Sequence, residues 1–540
     1  MAGLAAAFGS GAMTNSIPEF ETDSNCFLIM GSNTSEGHPL IASRIMTAKE
    51  RGAKLIVIDP RETQMARLAD LYTPFRPGTD VAVLNCLMNV IIAEGLEDKP
   101  FVAERTEAYD ELKAVVETYP PERVEEISGI PADTLRQAAR MYATNKPSAF
   151  IYAMGITQHT TGTDNVKSVA NLAMLTGNMG IAGGGVNPLR GQNNVQGACD
   201  MGGLPNVYSG YQVVTSEDVQ KKFQDAWGST SHTKVGLTVT EIVNAVGEGK
   251  LRALYVMGEN PLMADPDINH AYHCLEQAEF MVVQDIFLTE TAKLAHVVLP
   301  GAAFVEKDGT FTGTDRRVQR VRKAVEPPGS AKADWEIICE LAKKMGAGGF
   351  DFASPKEVMV EIARLTPAYG GVSYERLEEL GFLHWPCPAP DHPGTPYLHK
   401  GKFSRGLGHF HAIEFKEPAE LTDQDYPFTL TTGRLMFHFH TGTMTRRSEK
   451  LHQEVPEAYV EIHPDDAAKI KLNGGKRVRI TSRRGQIELG VRVTKRIKPG
   501  VVFIPFHFVE AAANALTNAA IDPVAKIPEY KVCAVKVQVA

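Results

Sequence analysis

Ser24-Asn25-Cys26-Phe27-Leu28-Ile29-Met30-Gly31 is followed, after a stretch of helical pattern, by Lys54-Leu55-Ile56-Val57-Ile58-Asp59-Pro60-Arg61. Each is a short apolar run ending in a polar turn, and together they give the strand–helix–strand signature of a parallel sheet. The same kind of run recurs at SAFIYAM (148–154), ALYVM (253–257), FMVVQ (280–284) and AHVVL (295–299). Helical stretches such as 131–142 and 165–176 lie between them. This alternation predicts an α/β fold with parallel sheets, helices on both faces, and a division into residues 1–190 and 191–345.

Beyond about residue 345 the pattern loosens. Residues 383–408 are dense in Pro, Gly and His, so an irregular connection is expected over 346–422. From 423 to 540 short alternating segments take over: 428–432, 459–462, 477–482, 486–493 and 500–506. Their turns are Asn473-Gly474-Gly475, Arg484-Gly485 and Lys498-Pro499-Gly500, which predicts an all-β, six-stranded type of barrel.

Composition narrows the class. With 43% hydrophobic and 22% charged residues the 540-residue chain is an ordinary globular protein, and a net charge of −8 argues against a nucleic-acid partner. No apolar run reaches the roughly 20 residues needed to span a bilayer. The seven cysteines contain no CxxC pair, so they read as small buried hydrophobes rather than a disulfide or metal framework. The opening MAGLAAAFGSGAM lacks the basic segment of a secretory signal, which says little about export where a preceding segment is expected; the location expected is cytoplasmic.

Three loops at predicted strand ends share one chemistry: Gly31-Ser32-Asn33-Thr34-Ser35-Glu36, Asp59-Pro60-Arg61-Glu62-Thr63 and Arg76-Pro77-Gly78-Thr79-Asp80. Ligands of open α/β sheets bind outside the carboxyl ends of strands. Gly admits a close backbone, Ser, Asn and Thr donate to phosphate oxygens, and a carboxylate such as Asp80 can accept the paired N–H groups of a guanine edge. Any one loop alone reads as a turn or a helix cap. No GxGxxG follows the first strand, which disfavours a nicotinamide dinucleotide. The densest polar segment is GVNPLRGQNNVQGACDMG (185–202), suited to a loop folded over a polar ligand, with Arg190 offering a planar fork for a small carboxylate.

That segment, with LAMLTGNMG (172–180) before it, resembles formate dehydrogenases of the molybdopterin oxidoreductase (dimethyl sulfoxide reductase) family. MGENPL (257–262), VVQDIFLTETA (282–292), GRLMFHFHTGTMTRR (433–447) and PEYKVCAVKV (528–537) extend the resemblance along essentially the whole chain. It implies molybdenum or tungsten held by two pyranopterin–guanine dinucleotides. Gly31, Asn33, Glu36, Asp59, Arg61, Gly78 and Asp80 would line one pocket, continued by Met154, Gly155 and Gln158, with Gln192 near the metal end. Gly258, Asn260, Gln284, Asp285 and Asp334 would serve the second dinucleotide. The barrel would contribute Arg434, His438, His440, Thr441, His507, Asn514, Tyr530 and Lys531. Arg190 would hold formate. His38, His438, His440 and His507 are read as pterin or phosphate contacts and not as metal ligands.

The resemblance further implies oxidation of formate to CO2, or the reverse, with electrons leaving through iron–sulfur clusters to an iron–sulfur or flavin subunit. Rival readings are another member of the family, such as a nitrate reductase, and a non-catalytic scaffold. In the family a cysteine-rich [4Fe-4S] segment and a Cys or selenocysteine metal ligand precede the stretch matched by Met1-Ala2-Gly3-Leu4. An upstream UGA selenocysteine codon read as a stop is the reading expected, the alternative being a genuine split subunit or an inactive remnant.

Overall fold

A computed structural model describes residues 1–228, 233–472 and 477–540. The Asn473-Gly474-Gly475 turn lies outside the described residues. By internal contacts the chain forms two compact units. The first comprises Met1–Gly191, Met263–Asn269 and Tyr397–Ala540; the second comprises Gln192–Leu262 and His270–Pro396.

The first unit contains a five-stranded parallel sheet. Its strands are β1 (Cys26–Met30), β2 (Lys54–Ile58), β3 (Leu71–Thr73), β4 (Ser148–Tyr152) and β5 (Val186–Pro188), in spatial order β3-β2-β1-β4-β5. The near-continuous apolar strands follow from burial on both faces. Leu28, Met30, Ile56, Ile58, Phe150 and Tyr152 pack into one core with the helices Asp80–Ala93, Ala132–Thr144 and Gly162–Leu175. Phe27, Ile29, Leu55, Val57, Ala149 and Ile151 point the other way, against Ile41 and Ile45 of the helix Pro39–Glu50. Alternate side chains thus feed two cores, each large apolar side chain contributing about 1.5–3 kcal/mol. The chain adds β2 and β3 on one side of β1, then returns to the other side for β4. That reversal opens the crevice where α/β sheets take ligands.

The second unit carries the parallel strands β6 (Ala253–Met257), β7 (Phe280–Asp285) and β8 (Val297–Pro300), in order β8-β7-β6. It also holds an antiparallel meander of β9 (Gly309–Thr312), β10 (Arg317–Val321) and β11 (Phe382–His384). Two helices, Pro355–Leu365 and Tyr374–Leu380, lie inside the stretch expected to be irregular. Pro355 at the first helical position and the apolar spacing Val358, Met359, Ile362, Leu365 carry the first of them, a signal masked by the Pro- and Gly-rich sequence that follows.

The expected barrel is present and closed. Its strands are β12 (Phe428–Gly433), β13 (Tyr459–Ile462), β14 (Arg477–Thr481), β15 (Gln486–Val493), β16 (Val501–Pro505) and β17 (Cys533–Val539), in order β12-β16-β13-β15-β14-β17. β17 pairs antiparallel with β12 and β14, which removes the open edge. Met263–Asn269 joins this unit through Ile268, which packs on the barrel core, and through Asn514 Nδ2, which donates to Met263 O at 3.0 Å. All seven cysteines are free and buried. Among the described residues no helix is long and apolar enough to cross a membrane.

Candidate functional site

Every loop singled out in residues 1–190 lies at the carboxyl end of a strand of the first sheet. After β1, Gly31 adopts φ 60°, and its carbonyl accepts the Gly155 N–H at 3.0 Å. A Cβ on Gly31 would meet Gly155 C at 2.7 Å, and one on Gly155 would meet Gly31 Cα at 2.5 Å, so the β1 and β4 loops touch backbone to backbone. Asn33 Nδ2 is buried without a hydrogen-bond partner, while its Oδ1 accepts from Ser35 Oγ. Glu36 faces Arg496 at 3.8 Å. Met154 is exposed, and the Gln158 carbonyl accepts the Tyr530 N–H. At Gly78, φ 88°, an added Cβ would strike Pro418 Cγ at 2.5 Å.

Asp59 and Asp80 are buried carboxylates, both pushed up to about 6 by burial. Asp59 Oδ1 accepts the Arg61 N–H at 3.0 Å. Asp80, 1% exposed, has no hydrogen-bond partner on either carboxylate oxygen. Such a group costs on the order of 1–3 kcal/mol unless something else supplies its donors. Arg61 pairs with Glu461 of β13 through both its Nε (2.7 Å) and its terminal nitrogen (2.8 Å), and its guanidinium lies 4.2 Å from the Phe503 ring centre. This arginine therefore clamps the sheet domain to the barrel.

The barrel loops bring cations and neutral imidazoles into the same unit. Arg434 donates to Gly191 O at 3.1 Å, and burial brings its guanidinium down to about 10. Lys531 donates to Thr432 O and is brought down to about 8, first by burial and then by Arg434. His507 is fixed in one tautomer: Nε2 accepts the Leu435 N–H at 2.9 Å, and Nδ1 donates to His440 O. Burial, with Arg434 adding repulsion, holds His440 down to about 4, and burial holds His507 down to about 3. His38 donates from Nε2 to Arg190 O at 2.7 Å, fixing the backbone at that arginine, and burial lowers its pKa as well. His438 contacts Val455 O and Thr445 Oγ1, so it is satisfied internally. Thr441 pairs with Thr443, Asn514 donates to Met263 O and Ala264 O, and the Tyr530 hydroxyl donates to Ala264 O.

In the second unit the remaining candidates again follow strand ends. Gly258, φ 62°, donates its N–H to Gln284 O. Asn260 is locked by Thr291 and Glu290. Gln284 Nε2 donates to Asp334 Oδ1 at 2.6 Å and its Oε1 accepts from Tyr255; Asp334 also pairs with Lys307. Asp285 accepts the Phe287 N–H, and Gln192 is exposed.

Three residues near the first-sheet loops were not singled out from sequence: His159, Glu461 and Glu529. A lone histidine in a helix-start segment and two glutamates on distant β segments carry no local signal. Only the fold shows that His159 lies 2.9 Å from Glu529 and 3.8 Å from Asp80.

The molybdopterin oxidoreductase family model matches residues 4–344, and the molydopterin dinucleotide binding domain model matches 428–534. The alpha subunit of F420-dependent formate dehydrogenase 1 from Methanococcus maripaludis is 54% identical over 99% of this chain and 79% of its own length. Formate dehydrogenase H of Escherichia coli is 41% identical over 100% of this chain and 76% of its own length. The acetylene hydratase of Pelobacter acetylenicus shares the fold, with TM-score 0.79 at 23% identity over 100% of this chain and 80% of that one. With sheet, crevice and closed barrel in place and both models matched, the chain belongs to the molybdopterin oxidoreductase family.

Proposed function

We propose that this chain is the larger part of the catalytic subunit of a formate dehydrogenase, which interconverts formate with CO2, a proton and two electrons, the metal-ligand segment belonging to the remainder. The observation that carries the cofactor part is Asp80: a buried carboxylate with no hydrogen-bond partner on either oxygen, at the switch-point crevice that also holds the Gly31–Gly155 backbone contact. A guanine edge supplies the two N–H donors Asp80 lacks, and the glycine loops at the strand ends offer backbone without side chains, so the residues fit a pterin–guanine dinucleotide. Gly31, Asn33, Asp59, Gly78, Asp80, Met154, Gly155 and Gln158 would hold one dinucleotide. Gly258, Asn260, Gln284, Asp285 and Asp334 would hold another, and Gln192 would lie near the metal end of the first. When bound, the molybdenum or tungsten centre supplies the two-electron chemistry. An iron–sulfur or flavin subunit is the proposed electron acceptor.

The protein's part is orientation and charge. Arg190 would take the formate carboxylate on its planar fork, while His38 pins its backbone. Arg434 adds fixed positive charge, and His440 and His507 stay neutral at pH 7, so they add dipoles without attracting a second anion.

Formate-dependent reduction of a viologen dye by the purified holoenzyme tests the assignment. Arg190→Ala should raise KM for formate by roughly 100-fold at unchanged cofactor content, as expected for loss of a bidentate charged pair. Turnover of nitrate in place of formate, or a wild-type KM in the variant, overturns the assignment.

A further inference from the structure

His159 belongs to no part of the reaction above, yet it is buried between two carboxylates. Its Nδ1 lies 2.9 Å from Glu529 Oε1, and its Nε2 lies 2.9 Å from Gly155 O and 3.8 Å from Asp80 Oδ2. His159, Glu529 and Asp80 are all buried. Nε2 donates to the Gly155 carbonyl, while Nδ1 stands at ion-pair distance from Glu529 Oε1 outside hydrogen-bond geometry; an unprotonated Nδ1 there would set a lone pair against the carboxylate, and a proton on it turns that repulsion into attraction. Glu529 is itself held by Thr160, whose N–H donates to Oε2 at 2.9 Å.

We propose that His159 is a permanent imidazolium, oriented by Glu529, and that it keeps Asp80 an ionised acceptor able to read the donor edge of guanine. His159 is thus a positioning residue for base selectivity, and the inference rests on the nucleotide reading of Asp80. An amino-keto edge with two adjacent donors matches a carboxylate, whereas the acceptor-rich edge of cytosine meets like partial charge. Asp80 is faced by His159, Glu529 and Asp59, and Lys531 stands against Asp59 and Glu529, so the imidazolium is the nearest cation to Asp80 among the described residues. The flanking carboxylates of Glu529 and Asp80 lift His159 to about 9 despite its burial.

Nitrogen-15 histidine NMR of the wild-type chain tests the first step without any variant. One of the sixteen histidines should remain an imidazolium at pH 8; its absence overturns the proposal. GMP binding by cofactor-free protein, followed calorimetrically from pH 5 to pH 8, tests the second. Wild type should lose GMP as Asp80 protonates near pH 6, and His159→Gln should weaken binding roughly tenfold at pH 7 and move that midpoint upward. A folded His159→Gln protein with wild-type affinity and midpoint overturns the role of His159. If Asp80→Asn also binds GMP normally, or wild type does not bind it, the nucleotide reading itself fails.

Discussion

At the residue scale the first unit collects groups whose ordinary charge burial has altered. Asp80 has a folded pKa near 6 against a usual value near 4, so in nucleotide-free protein its share of stability is present at low pH and lost as pH rises through 6. Asp80→Asn should therefore raise the melting temperature of the nucleotide-free protein at pH 8, with the gain gone by pH 4; an equal gain at both values would count against a buried, unpartnered carboxylate. His440 and His507 run the other way. Their folded values lie far below 6.5, so stability is complete above pH 6.5 and declines as acid protonates the unfolded chain first. Melting curves from pH 7 to pH 4 should show that decline, shallower in a His507→Gln protein. Asp80 and Arg190 could be singled out as candidates in the sequence because each sits in a polar loop after an apolar run. His159 was not, because its meaning depends on Glu529, separated by hundreds of residues.

At the scale of elements the decisive feature is the meeting of the β1 and β4 loops. Gly31→Ala places a methyl against the Gly155 backbone at a left-handed φ, which separates the two strands or distorts the crevice. Purified Gly31→Ala protein should carry little bound nucleotide, measured as guanine released by acid, and should melt lower than wild type. The strands themselves were read within a few residues. SAFIYAM ends as a strand at Tyr152 because the chain turns at Ala153 into the short helix Met154–Thr157. AHVVL starts late because the turn Ala292–Leu294 precedes it. Periodicity marks where apolar side chains lie, and it is silent on where a neighbouring backbone forces the chain to turn. The helix Pro355–Leu365 shows the opposite failure, a clear apolar stripe hidden by the irregular sequence around it.

At the scale of the molecule, the fold class and the presence of a barrel follow from a change of period, from strand–helix alternation to short β segments after residue 423. The closure of the barrel by β17, and the return of Met263–Asn269 to the first unit, depend on pairings that no local pattern encodes. The Arg61–Glu461 clamp is one such pairing. Glu461→Ala leaves a buried guanidinium without its partner and should cost about 3–5 kcal/mol, read from urea denaturation. Arg61→Met combined with Glu461→Leu should recover most of that loss, and a double variant no better than the single would refute the clamp.

The same separation has a consequence in time. Arg61 and Glu461 are 400 positions apart, and Thr160 and Glu529 are 369 apart. At about 5–20 residues per second, a ribosome that has finished the first sheet needs roughly 20–70 s more to supply Glu529. During that interval His159 has no counter-ion behind it and Arg61 no clamp, so the crevice exists only as an outline. The pocket proposed for the nucleotide therefore lacks Glu529 until this later segment has been made.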